Sequence, residues 1–225
     1  MKNIKWPYIL SITLFLWGTV SLLAAGGGEG NKRIRIETSL GDIVVILYDQ
    51  TPGHRDNMLK LIEDGFYENH LFHRVIRDFM IQGGDPESVD ASPGQRLGNG
   101  GPGYTIAAEF HPELFHKKGA LAAARMGDRT NPEKASSGSQ FYIVQGRTFT
   151  PDMLKTMETE RSLSFSPQAI EAYTTIGGTP HLDGSYTVFG EVVEGLDVLD
   201  LIASQPTDSY NRPLEDVVFS ISLIK

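Results

Sequence analysis

The residues best suited to chemistry lie in one stretch, Phe72-His73-Arg74-Val75-Ile76-Arg77-Asp78-Phe79-Met80-Ile81-Gln82-Gly83-Gly84-Asp85. Strand alternation predicts Phe72, Arg74 and Ile76 on one face, which sets a guanidinium among apolar groups. Such a cation is costly to bury unless a polar group satisfies it, and Gln82 or a substrate carbonyl is the candidate partner. An arginine whose stem covers core fits the same pattern. Other constellations carry less. Gly98-Asn99-Gly100-Gly101-Pro102-Gly103 satisfies G-x-G-x-x-G, but a dinucleotide site needs a buried strand before it and a helix after it. Here Pro86 to Leu97 is polar and loop-like and Tyr104-Thr105-Ile106 reads as extended, so tight turns are expected. His70, His73, His111 and His116 lack H-E-x-x-H spacing and any cysteine partner, and no metal site is expected. Ser137 and Ser139 stand outside any G-x-S-x-G elbow, which leaves hydrolase chemistry unsupported.

The elements that position these residues read as mainly β. Residues 32–37 and 42–48 flank Ser39-Leu40-Gly41-Asp42 as a hairpin. Further strands are expected at 71–76, 79–81, 120–124, 140–144, 187–192 and 217–224. Thr51-Pro52 offers an N-cap and a proline at N1 for a helix ending at Gly65, and Leu196, Leu199 and Ile202 mark a second short helix. This balance predicts a closed or nearly closed antiparallel barrel. One stretch departs from it. Thr150-Pro151 and Ser166-Pro167 are two helix starts of the same form, which predicts a helical hairpin over 151–161 and 167–176 inserted in a β protein. With 225 residues, 40% hydrophobic and 21% charged, the chain is globular and long enough for a proper core. A formal net charge of −8 argues against nucleic acid or anionic lipid as partner. Cysteine is absent, which removes disulfides, thiolate metal sites and catalytic thiols.

Residues 1–26 read as an address. Lys2 and Lys5 precede an apolar run from Tyr8 to Ala25, and Ala24, Ala25 and Gly26 supply small residues for cleavage. A secretory signal peptide and export to the periplasm are expected; the alternative is an uncleaved anchor facing the periplasm, the one case in which a membrane is a partner. Residues 27–31 form a flexible tether and 32–225 the folded domain.

Several separated motifs together resemble the cyclophilin peptidyl-prolyl isomerases: the FHRVI and FMIQGGD block, Gly100 to Gly103, Glu109-Phe110, Ser137-Gly138-Ser139-Gln140-Phe141-Tyr142-Ile143, and Leu182-Asp183-Gly184 with Val188-Phe189-Gly190. The resemblance runs from about residue 33 to 224, interrupted by an insert at about 149–180. It implies an eight-stranded antiparallel barrel capped by two helices, with a proline groove on its outside. Arg74 matches the catalytic arginine. Phe79, Met80, Tyr142 and Leu182 match the apolar floor and walls of the proline pocket, and Gln82 matches the glutamine beside the arginine. Gln140 matches a polar residue between subsites, Ala124 a pocket alanine, and Arg125 a position where the family commonly has asparagine. Tyr186 falls where many members have histidine.

The implied activity is rotation about X-Pro bonds of proline-containing polypeptide clients, with no cofactor and with the chain acting as a monomer. The alternative is a non-catalytic peptide-binding or chaperone module on the same barrel. His181 stands where many eukaryotic members have a tryptophan that contacts cyclosporin, Ala123 replaces a methionine, and Arg125 adds a charge near the peptide path. Met153, Leu154 and Met157 of the insert are expected on one apolar face, opposite Ile170 and Tyr173.

Overall fold

The computed structural model describes Met1 and residues 32–224. The basic start, apolar run and tether expected before residue 32 lie, Met1 apart, outside the described residues. Among the described residues no helix is long and apolar enough to cross a membrane.

Alternation builds the first hairpin. Arg33–Thr38 (β1) and Gly41–Leu47 (β2) bury Ile34, Ile36, Ile43, Val45 and Leu47 in the interior, while Arg35 and Glu37 face outward. Pro52–Glu63 (α1) follows, then the short strands His70–Leu71 (β3), Arg74–Ile76 (β4) and Met80–Gly83 (β5). Thr105–Ile106 (β6), Ala120–Ala123 (β7), Ser136–Ser137 (β8) and Phe141–Val144 (β9) come next, with β6 and β8 paired in a separate small ladder. The inserted helices are Pro151–Arg161 (α2) and Pro167–Thr175 (α3), and the chain finishes with Val188–Glu194 (β10), Leu196–Ala203 (α4) and Val218–Ile224 (β11).

Among the described residues the main sheet has nine strands in the order β3-β11-β1-β2-β10-β7-β9-β5-β4, and each neighbouring pair in it is antiparallel. Its two ends, β3 and β4, are separated along the chain by Phe72 and His73 alone. One continuous segment thus pairs with β11 and then with β5, which closes the ladder; taken as one strand, β3 and β4 reduce the nine to the eight expected. Met58, Leu61 and Ile62 of α1 and Leu199, Ile202 and Ala203 of α4 belong to the same buried cluster as the inward strand residues, so these two helices complete the barrel core.

That change of partner corrects the predicted pleat. Phe72 does not share a face with Arg74: it is fully buried in the barrel core with Val75, its ring 4.5 Å from that of Phe219. The interruption between β3 and β4 breaks the period-two register, and the phase of alternation shifts across it. A second correction concerns α1. Thr51 makes no side-chain cap; its hydroxyl points back to the Tyr48 carbonyl. The Glu109 carboxylate takes over, accepting from the N–H groups of Gly53 at 3.0 Å and His54 at 2.9 Å. A negative charge there also opposes the positive end of the helix dipole.

The insert forms as expected. Thr150 and Ser166 accept from the N–H of Met153 and Ala169, and each is followed by proline at N1. Leu154 and Tyr173 are buried and Met157 and Ile170 half-buried around Phe149 and Phe165, whereas Met153 is exposed because it lies off that stripe. At the neck of the insert Arg147 and Gly178 exchange backbone hydrogen bonds. Gly146 (φ +64) lies so close to Gly178 that a Cβ there would come within 2.4 Å of its backbone, which requires glycine.

Burial lowers the pKa of His54, His70 and His73, the last to about 4. Each takes a proton more readily in the unfolded chain, so its contribution is complete above the ordinary value of 6.5 and is lost as pH falls. Glu109 acts in the same sense at lower pH: burial alone would raise it, but hydrogen bonds from His54 and two backbone N–H groups hold it below the usual carboxylate range. The urea midpoint is expected to stay level above about pH 7 and to fall steadily between about pH 6.5 and 4. A midpoint unchanged across that window would contradict the burial of these imidazoles.

Candidate functional site

Three of the residues singled out from the sequence stand in one row across the sheet. Arg74 of β4 is paired with Gln82 of β5, and Gln82 with Tyr142 of β9. Paired residues of an antiparallel ladder share a face, so the three side chains lie together. The neighbouring row, Val75, Ile81, Ile143 and Leu121, fills the barrel interior. The core row fixes the sheet and the outer row uses it.

The guanidinium is held by a chain of amides. Arg74 Nη1 donates to Gln82 Oε1 at 3.0 Å, Gln82 Nε2 donates to Gln140 Oε1 at 3.0 Å, and Gln140 Nε2 donates to the Gly100 carbonyl at 2.7 Å. A carbonyl only accepts, so Gly100 sets the direction of every amide behind it. The loop holding Gly100 is itself tied down, because the Asp85 carboxylate accepts from the N–H groups of Gly98 and Gly100. The half-buried Arg74 has its pKa lowered by loss of solvent, and its guanidinium lies 6.0 Å from the centre of the Phe79 ring.

Beside it is an apolar cluster distinct from the barrel core. Met80, Tyr142, Leu182 and Val188 are buried in it, with Phe79, Ala124 and Tyr186 partly covered. The structure thus brings together all the expected pocket residues. His181 does not face away: its ring stacks on Phe79 at 5.8 Å, and burial lowers its pKa. Gln82, Ala124, Arg125 and Gln140 also line an open groove of about 820 Å³ between the glycine loop and residues 124–137. The Arg125 charge is not presented to that groove as a free cation. Its Nε donates to the Ser185 carbonyl at 2.7 Å, Nη1 lies 2.7 Å from Asp128, and the guanidinium covers the Tyr186 ring at 4.5 Å.

A second chain of hydrogen bonds runs behind the pocket. The Tyr142 hydroxyl meets His116 Nε2 at 2.9 Å, His116 Nδ1 meets Asp183 Oδ1 at 2.8 Å, and the Tyr173 hydroxyl donates to Asp183 Oδ2 at 2.6 Å. Burial raises the pKa of both phenols, which keeps them protonated, and a carboxylate oxygen only accepts, which puts a proton on Nδ1. The pocket floor is thereby fastened to α3 of the insert. Sequence reasoning weighed His116 only as a metal ligand and did not reach this role. Its partners stand at positions 142 and 183, and no local pattern marks them. Among the described residues no group of three His, Asp or Glu side chains is placed to hold a metal.

Comparison with known proteins agrees with this geometry. The family described as cyclophilin type peptidyl-prolyl cis-trans isomerase matches residues 33–222. A Streptococcus pyogenes protein named as a bifunctional phosphatase/peptidyl-prolyl cis-trans isomerase is 41% identical over 189 residues, 83% of this chain and 37% of the relative. The chain therefore spans little more than a third of that protein. A Staphylococcus saprophyticus protein named as a peptidyl-prolyl cis-trans isomerase is 35% identical over 203 residues, covering 88% of this chain and 94% of the relative. Among solved structures, a Cryptosporidium parvum cyclophilin type isomerase superposes with a TM-score of 0.62 at 25% identity, over 87% of this chain and 98% of that one. The same enzyme in the presence of the dipeptide Ala-Pro gives 0.61 at 25% identity, over 86% and 99%.

Replacing His116 tests the second chain. His116→Phe fills the space but leaves Asp183 and the Tyr142 hydroxyl short of a partner, and is expected to destabilise by about 2–3 kcal/mol. Tyr142→Phe alone removes one bond, for about 1 kcal/mol, and the double variant should fall well short of the sum. Additive losses in urea denaturation would show that the two side chains are not coupled.

Proposed function

The chain belongs to the cyclophilin-type peptidyl-prolyl cis-trans isomerases, and we propose that Arg74 is its catalytic residue while Phe79, Met80, Tyr142 and Leu182 hold the proline ring. The observation that carries this assignment is the bond from Arg74 Nη1 to Gln82 at the edge of an apolar pocket. It is the one hydrogen bond of that guanidinium among the described residues, so the rest of the fork faces no competing protein acceptor.

An X-Pro amide resists rotation by about 18–20 kcal/mol because the nitrogen lone pair is delocalised into the carbonyl. As the bond twists, nitrogen becomes pyramidal and recovers that lone pair. A donor placed there stabilises the twisted amide more than the planar one, which is the condition for catalysis. Arginine fits because it stays charged and its donors are rigidly spaced. The apolar pocket grips the ring while the preceding residue turns. Lowering the barrier by about 5 kcal/mol accelerates rotation roughly 10³–10⁴-fold. Gln140, Ala124, Arg125 and Tyr186 border the path of the peptide on either side of the ring.

The clients in this reading are proline-containing polypeptides that fold outside the cytosol, served by a monomer. Support for export rests on Lys2, Lys5 and the apolar run to Ala25. Mass spectrometry of the native protein should find a new N-terminus near residue 26; an intact Met1 or Lys2 in the membrane fraction favours the anchor instead.

In a protease-coupled assay on a short X-Pro peptide, Arg74→Ala is expected to lower kcat/KM by at least about 100-fold. Equal rates for the variant and the wild type would refute Arg74 as the catalytic residue, and no activity in either would leave a peptide-binding module. His181 supplies a smaller ring over Phe79 than tryptophan does, so cyclosporin is expected to bind weakly. His181→Trp should tighten it about tenfold by calorimetric titration, a gain near 1.4 kcal/mol.

A further inference from the structure

We propose that the insert builds a second client subsite, a pocket beside the proline groove that takes a bulky, uncharged apolar side chain of the same polypeptide. The proposal rests on the isomerase reading of the groove. The pocket has a volume of about 360 Å³ and lies between residues 110–115, the α2–α3 loop and residues 183–188. That volume suits an aromatic side chain, since sites for small ligands begin at about 300 Å³.

Its walls come from two clusters that are otherwise separate. Val188, Leu114 and Tyr186 belong to the groove cluster, while Leu163, Phe165 and Ala169 belong to the cluster of the insert. Leu114 and Phe115, adjacent in sequence, pack to opposite sides of this seam. Neither the barrel nor the insert could enclose the space alone.

The lining also defines the chemistry. No lysine or arginine lines it, its one imidazole is that of His111, whose Nδ1 accepts from the Glu113 N–H, and serines 162, 164 and 166 also line it. Its one carboxylate, Asp183, is already engaged: Oδ1 accepts from the backbone N–H and the ring of His116, and Oδ2 from Tyr173. An anionic group would meet no lysine or arginine there and a cationic one only a carboxylate already engaged, whereas an apolar group would be removed from water. The shape is set in advance. Phe165 N–H donates to Glu158 Oε1 at 2.9 Å and Leu163 N–H to the Glu158 carbonyl at 3.2 Å, so the loop need not be ordered on binding.

Position identifies the occupant as part of the client. Tyr186 lines the pocket, and its ring packs edge-on against Tyr142 of the proline cluster at 5.9 Å. A polypeptide held by its proline presents neighbouring side chains at high effective concentration. At about 3.3–3.6 Å per extended residue, a side chain about two to four positions from the proline is in reach.

The test uses the full chain and Ala-Pro peptides carrying either Phe or Ser at each of those positions, on both sides of the proline. Calorimetric titration reads binding, and NMR exchange reads isomerisation of a short peptide without the flanks. The expected result is a Kd at least about fivefold lower for Phe than for Ser at positions on one side, a difference abolished by Leu163→Lys. Exchange of the short peptide should be unchanged in that variant. Ser164→Trp, which fills the pocket from an exposed position, should abolish the same preference and guards against misfolding of the first variant. Equal Kd values for Phe and Ser at every position, or a preference that survives both variants, would overturn the subsite. Loss of short-peptide exchange in the wild type with the Phe preference intact would remove the isomerase reading and leave the subsite standing.

Discussion

A guanidinium at the edge of an apolar pocket is stable only if its donors are partly satisfied and its position fixed, and much of this molecule follows from that requirement. Gln82 supplies the acceptor, but an amide can turn over and present a donor instead. Gln140 and the Gly100 carbonyl remove that freedom one link at a time. The last link needs a loop whose backbone is immobile, which the buried Asp85 provides by accepting from Gly98 and Gly100. The glycine run that resembles a phosphate loop is thus the far end of the support for Arg74. Small residues serve it because a Cβ at Gly100 would meet Asp85 Oδ1 at 2.1 Å.

The barrel makes such precision available. Its inner row of Val75, Ile81, Ile143 and Leu121 is packed without polar groups, and the row beside it inherits that fixed register. Side chains on an outer face usually retain rotamer freedom. Here Arg74, Gln82 and Tyr142 are each anchored by a bond running along the sheet or behind it, so the site is organised before any peptide arrives.

The insert is bound into the same logic. Its neck is closed by Gly146 and Gly178, its helices are capped locally, and Tyr173 reaches Asp183 beside the pocket. Through His116 that contact ends on Tyr142. Removing the insert therefore withdraws a hydrogen bond from the residue that holds the pocket floor, besides removing a wall of the adjoining cavity.

Local rules were enough for a large part of this. The motif order carried the pocket residues only through resemblance to a family, whereas period-two alternation set β1 and β2 and proline after a capping hydroxyl located α2 and α3. These depend on neighbours a few residues apart, where backbone geometry forces the relation. What the tertiary structure decided lies across long separations. Glu109 rather than Thr51 caps α1, Phe72 turns into the core because its strand changes partner, and His116 is a structural link between Tyr142 and Asp183. The Arg125 guanidinium folds onto the Tyr186 ring and the Ser185 carbonyl. In each case the side chain had several chemically adequate partners in the sequence, and only the closed barrel selected the one within hydrogen-bonding or packing distance.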